Sequence, residues 1–202
     1  MQNMIVSLSK IAGRMKKLFK AAVPAFLAAG LLFAPPPARA QEQEAASASY
    51  VTQKDIQVAV RAFSFVYGMP AGAIQIEIVY DPNDAASMAE AQDLEEIIRR
   101  DGTFANRRVT AKPVTVAAVG TTGSRFAYVT HGLAREYPAL VANARSHKML
   151  TFSTDFRCVD SQSCVMGVVS EPSINIEISR AAATASGVQF SQALELMVRE
   201  VE

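Results

Sequence analysis

The chain has 202 residues, of which 50% are hydrophobic and 19% are charged, with two cysteines, two histidines and no tryptophan. This composition is typical of a folded protein and excludes a disordered, a collagen-like or a cysteine-stapled chain. The length allows one large domain or two small ones, and only one stretch approaches the length of a membrane-spanning helix, which argues against a multi-pass membrane protein.

The first forty residues are predicted to be an export signal. A basic start precedes an apolar run at residues 21–34, and Ala38-Arg39-Ala40 has the small-x-small pattern of a signal peptidase site. We expect cleavage after Ala40, a periplasmic location and no lipid anchor, because no cysteine follows the site. An uncleaved anchor is the alternative, but the run is shorter than the roughly 20 residues of a span. Three translation starts stay open: Met1, Met4 and Met15.

Removal of the signal reverses the sign of the net charge. The whole chain carries +1, but residues 1–40 hold six of the 20 basic residues and none of the 19 acidic ones, so the mature chain is near −5. An acidic surface repels phosphate backbones. We therefore expect no nucleic-acid partner.

The mature chain is predicted to begin with a flexible tail at residues 41–51, which is polar and lacks apolar periodicity. Thr52 and Asp55 have the spacing of a capping box, so a helix is expected from there to just before Gly68. Residues 74–80 alternate apolar and polar side chains and predict a strand. Asp84 is the predicted cap of a helix over residues 85–100 that ends at Gly102.

The middle of the chain is predicted to contain more strands and another helix. Apolar residues predict strands at 114–119, 126–129 and 148–152 and a helix at 133–145. After the cysteine loop, strands at 165–169 and 174–178 form a hairpin, and Ser179 caps a helix that Gly187 ends. Ser191 is the predicted cap of a final helix with these inward-facing residues: Leu194, Met197, Val198 and Val201.

Strands that alternate with helices predict an α/β fold. We expect a single three-layer α/β/α domain over residues 52–202, with a mixed, mostly parallel sheet.

No constellation of residues predicts catalysis. His131 and His147 lack partners at metal-ligand spacing and are interpreted as surface side chains, and Glu77 and Glu177 are expected to face solvent or a sheet edge. Residues 120–124 follow a strand as phosphate loops do, but they lack a lysine and predict a turn between strands, which remains a candidate rim for a ligand. We expect no enzymatic activity, metal or cofactor, with a hydrolase as the less favoured alternative.

Cys158 and Cys164 are predicted to form a disulfide across a short polar loop. Export to an oxidising compartment favours a bridge over a reactive pair or half a metal site. A redox-regulated bridge is the alternative, because neither the thiol pKa nor the strain can be read from the sequence.

The last fifty residues resemble the C-terminal half of the YfiR family of periplasmic proteins. The resemblance comprises the cysteine pair, the strands at 149–153 and 174–178, Arg180-Ala-Ala-Ala183, residues 187–191 and the closing leucine-bearing segment. Earlier, residues 60–70 before the strand at 74–80 are similar to the opening helix of the family. Three features depart from the family: Met69 replaces a tryptophan, Ser179 replaces an asparagine, and a second cysteine pair is missing.

The resemblance implies a non-enzymatic regulator of cyclic-di-GMP signalling. Such a protein binds the periplasmic domain of a membrane diguanylate cyclase and holds it inactive, and a homodimer is expected. The alternative is a periplasmic solute-binding protein with its ligand at the strand ends near residues 81–84 and 120–123. The length argues against this alternative, because a two-lobed receptor needs a second domain.

Overall fold

The computed structural model describes residues 50–70 and 72–202. The predicted signal peptide and most of the predicted tail lie outside the described residues. In the described part, helices cover both faces of one eight-stranded sheet, which confirms the predicted mixed, mostly parallel α/β fold. No helix in this part of the chain is long and apolar enough to cross a membrane.

Helices and strands alternate along the chain. In order, the elements are α1 Gln53–Phe63, β1 Ile74–Tyr80, α2 Ala85–Asp101, β2 Thr103–Phe104, β3 Arg107–Thr115, β4 Phe126–Val129, α3 Tyr137–Ser146, β5 Leu150–Ser153, α4 Phe156–Asp160, β6 Met166–Val169, β7 Asn175–Ser179, α5 Arg180–Ser186, α6 Gln192–Glu195 and β8 Arg199–Val201. Two 3₁₀ turns occur at Val116–Ala118 and Leu133–Glu136.

The strand order is β2-β3-β1-β4-β5-β6-β7-β8. Strands β3, β1, β4, β5 and β6 run parallel, β2 and β7 are antiparallel to β3 and β6, and β8 runs parallel to β7. The carboxyl ends of the five parallel strands therefore lie together at one end of the strands. We call this end of the sheet, which is distinct from its outer strands, the carboxyl edge.

Two apolar layers enclose the sheet because successive side chains of each strand point to opposite faces. In β1, Ile76 and Ile78 belong to a cluster that includes residues of α1 and α2, whereas Val79 belongs to a second cluster with residues of α3 and α4. The chain thus leaves β1 for α2 on one face and leaves β4 for α3 on the other.

The predicted start of α1 is confirmed. The backbone N–H of Thr52 donates to Asp55 Oδ2 at 2.8 Å, and Asp55 N–H donates to Thr52 Oγ1 at 3.2 Å, which is a complete capping box. Asp55 Oδ1 also accepts from the N–H of Ser170 at 2.7 Å, so α1 is joined to the turn after β6. Val51 is fully buried and belongs to the folded domain, although the predicted tail included it. The helix ends at Phe63, earlier than predicted.

The strand predicted at residues 114–119 was displaced from its true position. β3 spans Arg107–Thr115, and Val116–Ala118 forms a 3₁₀ turn. The polar side chains and Pro113 hid this strand. The sheet tolerates these residues because β2 pairs only with Arg107 and Arg108. The rest of β3 therefore forms an outer edge of the sheet. Proline, which lacks an N–H, is found mainly in such edge positions.

The final helix predicted after Ser191 is wrong for most of its length. α6 contains only Gln192–Glu195, the hydroxyl of Ser191 makes no capping bond, and the chain continues as β8 beside β7, with Arg199 opposite Glu177. Met197 is exposed rather than buried. Pairing with the sheet edge prevails here over the apolar spacing that favours a helix.

Candidate functional site

The carboxyl edge contains a buried carboxylate, Glu90 of α2. Its Oε1 accepts a hydrogen bond from the hydroxyl of Tyr128, and its Oε2 accepts from the backbone N–H of His131 at 2.9 Å. His131 Nδ1 lies 3.0 Å from the same Oε2, and Thr154 Oγ1 lies 2.9 Å from the Tyr128 hydroxyl. These three donors compensate the desolvation of Glu90. We call this group of four residues the Glu90 site.

The Glu90 site was missed in the sequence because its key residue lies on an apolar helix face. Ala91, Leu94 and Ile98 are buried as predicted, but Glu90 is also buried, together with Ser87. The only indication in the sequence was helical spacing. Ser87 and Glu90 precede Leu94 by seven and four residues, so all three lie on the same face of the helix. The hydroxyl of Ser87 lies 2.6 Å from Thr130 Oγ1, which ties α2 to the end of β4.

Tyr128 acts as a hydrogen-bond donor at this site. Burial raises the pKa of its hydroxyl well above the ordinary value of 10.0, and the adjacent charge of Glu90 raises it further. Tyr128 therefore keeps its proton at neutral pH and donates to the carboxylate.

His131 connects the buried carboxylate to the surface. Its side chain is 20% exposed, and the ring of Tyr50 stacks on it with centroids 4.4 Å apart and an interplanar angle of 29°. The carboxylate fixes the orientation of the ring through Nδ1. His131 is thus only partly the surface histidine that was predicted, whereas His147 is exposed, with Nδ1 2.9 Å from the backbone oxygen of Asn143.

Asp155 lies close to this site at the start of α4. It accepts hydrogen bonds from the backbone N–H of Arg157 at 3.1 Å and from its guanidinium Nε and Nη2 at 2.9 Å each. Desolvation raises the pKa of Asp155, but the bonds from Arg157 and the nearby His131 outweigh it and bring the pKa below its ordinary value. Asp155 is therefore ionised at neutral pH.

The loop at residues 120–124, a predicted candidate rim for a ligand, binds the chain's own Glu77. This carboxylate is fully buried and accepts from Gly120 N–H at 2.8 Å, from Thr122 N–H at 3.2 Å and from the hydroxyl of Thr122. The donors that would hold an anion are therefore already occupied. We call this arrangement the Glu77 loop.

The prediction that Glu77 and Glu177 face solvent or a sheet edge is wrong, because both are buried and both lie on strands with a neighbour on each side. The connection from β3 to β4 covers Glu77. Glu177 of β7 lies beside β8 in the sheet and is paired with Arg199 at 3.0 Å. Each burial depends on a partner that is distant in sequence, so the alternation within the strand could not reveal it.

The predicted disulfide is confirmed. Cys158 and Cys164 are bonded, with Cα atoms 5.1 Å apart, and both side chains are fully buried in the second apolar cluster. The backbone N–H groups of Ser163 and Cys164 both donate to the carbonyl of Cys158 at 2.9 Å, which closes the loop.

A second surface surrounds the outer strand β8. Leu196 and Met197, which are separated from this strand only by Val198, are 81% and 66% exposed. An adjoining groove of about 280 Å³ is lined in part by Tyr67, Phe190 and Glu200, and Glu200 pairs with Arg180. We call Leu196, Met197 and the outer side of β8 the β8 surface.

No protein-family model and no curated protein matches the chain. Among solved structures, the chain is similar to a conserved domain protein from Vibrio cholerae O1 biovar eltor, with 13% identity and a TM-score of 0.52, covering 74% of this chain and 60% of that one. It is also similar to an ABC domain in complex with L-Trp from Streptococcus pneumonia, with 12% identity and a TM-score of 0.51, covering 74% of this chain and 60% of that one. A third similar structure is a ligand-free substrate-binding protein with adhesive properties from Clostridium difficile, with 11% identity and a TM-score of 0.53, covering 75% of this chain and 59% of that one.

At these identities the likeness shows a shared α/β fold. The chain spans about 60% of the length of each of these proteins.

Proposed function

We propose that this chain is a non-enzymatic periplasmic binding protein that inhibits a membrane-bound diguanylate cyclase by direct contact with its periplasmic domain. The resemblance of the last fifty residues to the YfiR family indicates the class of partner, and the predicted export signal indicates the compartment. The observation that carries the proposal is the β8 surface, where exposed apolar side chains adjoin an open sheet edge.

The two outer edges of the sheet, formed by β3 and β8, differ in how strongly they resist pairing with a strand of another protein. On one side, β3 carries Lys112 and Pro113, residues that discourage pairing with another strand. On the other side, β8 has no strand beyond it among the described residues and is preceded by Leu196 and Met197. Exposed apolar side chains beside an unpaired strand edge favour association with another protein.

The folded domain holds the β8 surface in place. Arg199 is paired with the buried Glu177, and Val201 packs against the apolar cluster that contains the disulfide. Gln162, inside the disulfide loop, donates through Nε2 to the backbone oxygen of Glu202 at 3.3 Å. The cysteine loop therefore supports the proposed contact surface.

The test measures partner capture and enzyme inhibition together. Tagged wild-type protein is used to capture partners from solubilised envelope, and purified protein is added to the diguanylate cyclase that is recovered. We expect the Leu196→Ser/Met197→Ser double variant to lower capture and inhibition at least tenfold. Ile174→Ser, which changes another exposed apolar residue, is the matched control and should behave like wild type. Full inhibition by the double variant, or none by the wild type, would contradict the proposal.

A periplasmic solute-binding protein is the second candidate. It is supported by the similarity to proteins described as substrate-binding or bound to L-Trp, and by a groove of about 200 Å³ at the carboxyl edge beside Asp81 and Asn83. A ligand screen by thermal shift distinguishes the two functions. A ligand that raises the melting temperature, with no membrane partner captured, would favour the second candidate.

We also propose a homodimer, as the resemblance implies. Analytical ultracentrifugation of the processed chain measures the oligomeric state directly, and a monomer at high micromolar concentration would contradict it.

A further inference from the structure

We propose that His131 is the platform of a binding site for a small aromatic cation, whose ring takes the place that Tyr50 occupies in the structure. This site lies at the carboxyl edge and does not involve the β8 surface, so it goes beyond the proposed function.

The platform is rigid. Glu90, whose side chain is fully buried, accepts from both the backbone N–H and the ring Nδ1 of His131. Tyr128 holds Glu90 from the other side. An imidazole fixed in this way loses little conformational freedom when a ring stacks on it, and such preorganisation favours ligand binding.

Tyr50 occupies the platform but is not built into the core. Its side chain is 53% exposed, whereas the next residue, Val51, is fully buried. The backbone is therefore anchored at Val51, and the phenol ring lies on the surface against His131. A ring that is half exposed and stacked on one side can be exchanged for another aromatic ring, because little buried area is lost.

The surrounding charges favour a cation over an anion. Asp155, almost fully buried, interacts electrostatically with His131, and its partner Arg157 is committed to it by four hydrogen-bond contacts. A second carboxylate, Asp84, lies next to Gly132, the residue that follows His131. A Cβ atom added to Gly132 would be only 2.9 Å from Asp84 Oδ2. With Glu90 at the Nδ1 edge of the ring, three carboxylates from two helices, α2 with its cap and the cap of α4, lie near the platform.

The position in the fold supports the same conclusion. The site lies at the end of β4, whose connection to α3 crosses one face, whereas the connection of the neighbouring β1 to α2 crosses the other. Ligands of α/β proteins bind at the carboxyl ends of strands where connections diverge in this way.

The test uses three probes that carry the phenol ring of Tyr50 with different charges: tyramine (cationic), p-cresol (neutral) and 4-hydroxyphenylacetate (anionic). Binding to the processed protein is measured by calorimetry and by NMR shifts of the His131 ring. We expect tyramine to bind at least tenfold more tightly than 4-hydroxyphenylacetate, with p-cresol between them. Equal affinities, or no binding of tyramine at millimolar concentration, would overturn the proposal.

Variants assign the binding to the platform. Tyr50→Ala removes the internal competitor and should tighten tyramine binding severalfold, whereas His131→Ala should weaken it at least tenfold. His131→Asn removes the ring but keeps an N–H donor for Glu90, and it should weaken binding as much as His131→Ala, which separates loss of the stacking platform from loss of folding. Tyr67→Ala removes a tyrosine of similar exposure elsewhere and should leave the affinity unchanged. Weaker binding by Tyr50→Ala would show that Tyr50 is part of the site rather than its occupant and would refute the exchange.

These outcomes are independent of partner capture. Absence of tyramine binding, with inhibition of the cyclase intact, would remove this site and leave the proposed function standing.

Discussion

The Glu77 loop and the Glu90 site both contain a buried carboxylate with three hydrogen-bond donors. They differ in whether a residue that supplies those donors orients a side chain at the surface. All donors to Glu77 belong to Gly120 and Thr122, so the carboxylate fastens one connection of the chain to the sheet. The donors to Glu90 come from Tyr128 and His131, and His131 reaches the surface. A buried carboxylate can thus have a purely structural role, as Glu77 does, or can also orient a side chain that is accessible to other molecules, as Glu90 does.

The largest effect is expected from removal of Glu77. Glu77→Ala removes the buried acceptor of three partly buried donors and should lower the free energy of unfolding by about 3 kcal/mol, measured by urea denaturation. Glu96→Ala, which removes an exposed carboxylate of α2, is the control and should change stability little. Added formate should restore part of the loss by entering the loop. A variant as stable as wild type would show that the loop does not depend on Glu77.

Removal of the disulfide should separate the two regions. Cys158→Ala/Cys164→Ala should lower stability by about 2 kcal/mol, because the bridge closes a short loop. Since Cys158 lies in α4, which begins next to Asp155, amide hydrogen exchange should accelerate at Arg157 and not at Thr122. Equal acceleration at both amides would mean that the bridge acts on the whole domain.

Thiol labelling tests the same bridge in the native protein. Both cysteines are fully buried, so native protein should not react with iodoacetamide in the presence of mild reductant, whereas denatured protein should. Labelling under native conditions would favour the redox-regulated alternative over a permanent bridge.

Tyr128→Phe should have an intermediate effect confined to the Glu90 site. It removes one donor from a buried carboxylate and should cost about 1–2 kcal/mol at pH 7. Because the folded pKa of Tyr128 is raised, the unfolded chain loses this proton first, so the wild-type stability should fall as pH rises above about 10. The variant should show a smaller fall in urea titrations at pH 9–11, and an identical pH dependence would contradict this role.

The smallest effect is expected from Asp155→Asn, which keeps a capping side chain but removes the charge. The folded pKa of Asp155 is lowered, so its charge stabilises the fold above the unfolded pKa of 3.8, and this contribution is lost as pH falls through the folded pKa. The variant should be less stable than wild type by under about 1 kcal/mol at pH 7. Thermal unfolding should show this difference vanish toward pH 3, and a difference that persists there would exclude the charge as its cause.

Local signals accounted for most of the elements that were predicted correctly. The capping box at Thr52 and Asp55 joins residues three apart, and the Asp84 cap and the left-handed Gly102 bound α2 within the helix itself. Strand β3 was predicted in the wrong place and β8 was predicted as part of a helix, for the opposite reason. Each lies at or next to the side of the sheet, where fewer apolar side chains are required and pairing with a neighbour decides the conformation.

The amino-acid sequence by itself determined the α/β class, the caps of α1, α2 and α5, the β6–β7 hairpin and the disulfide, because these depend on periodicity or on residues close together in the chain. Only the tertiary structure decided which carboxylates are buried and what they hold. Gly120 lies 43 residues from Glu77, and His131 lies 41 residues from Glu90. A carboxylate is stable in the core only when such distant donors converge on it, and that convergence is created by the order of the strands.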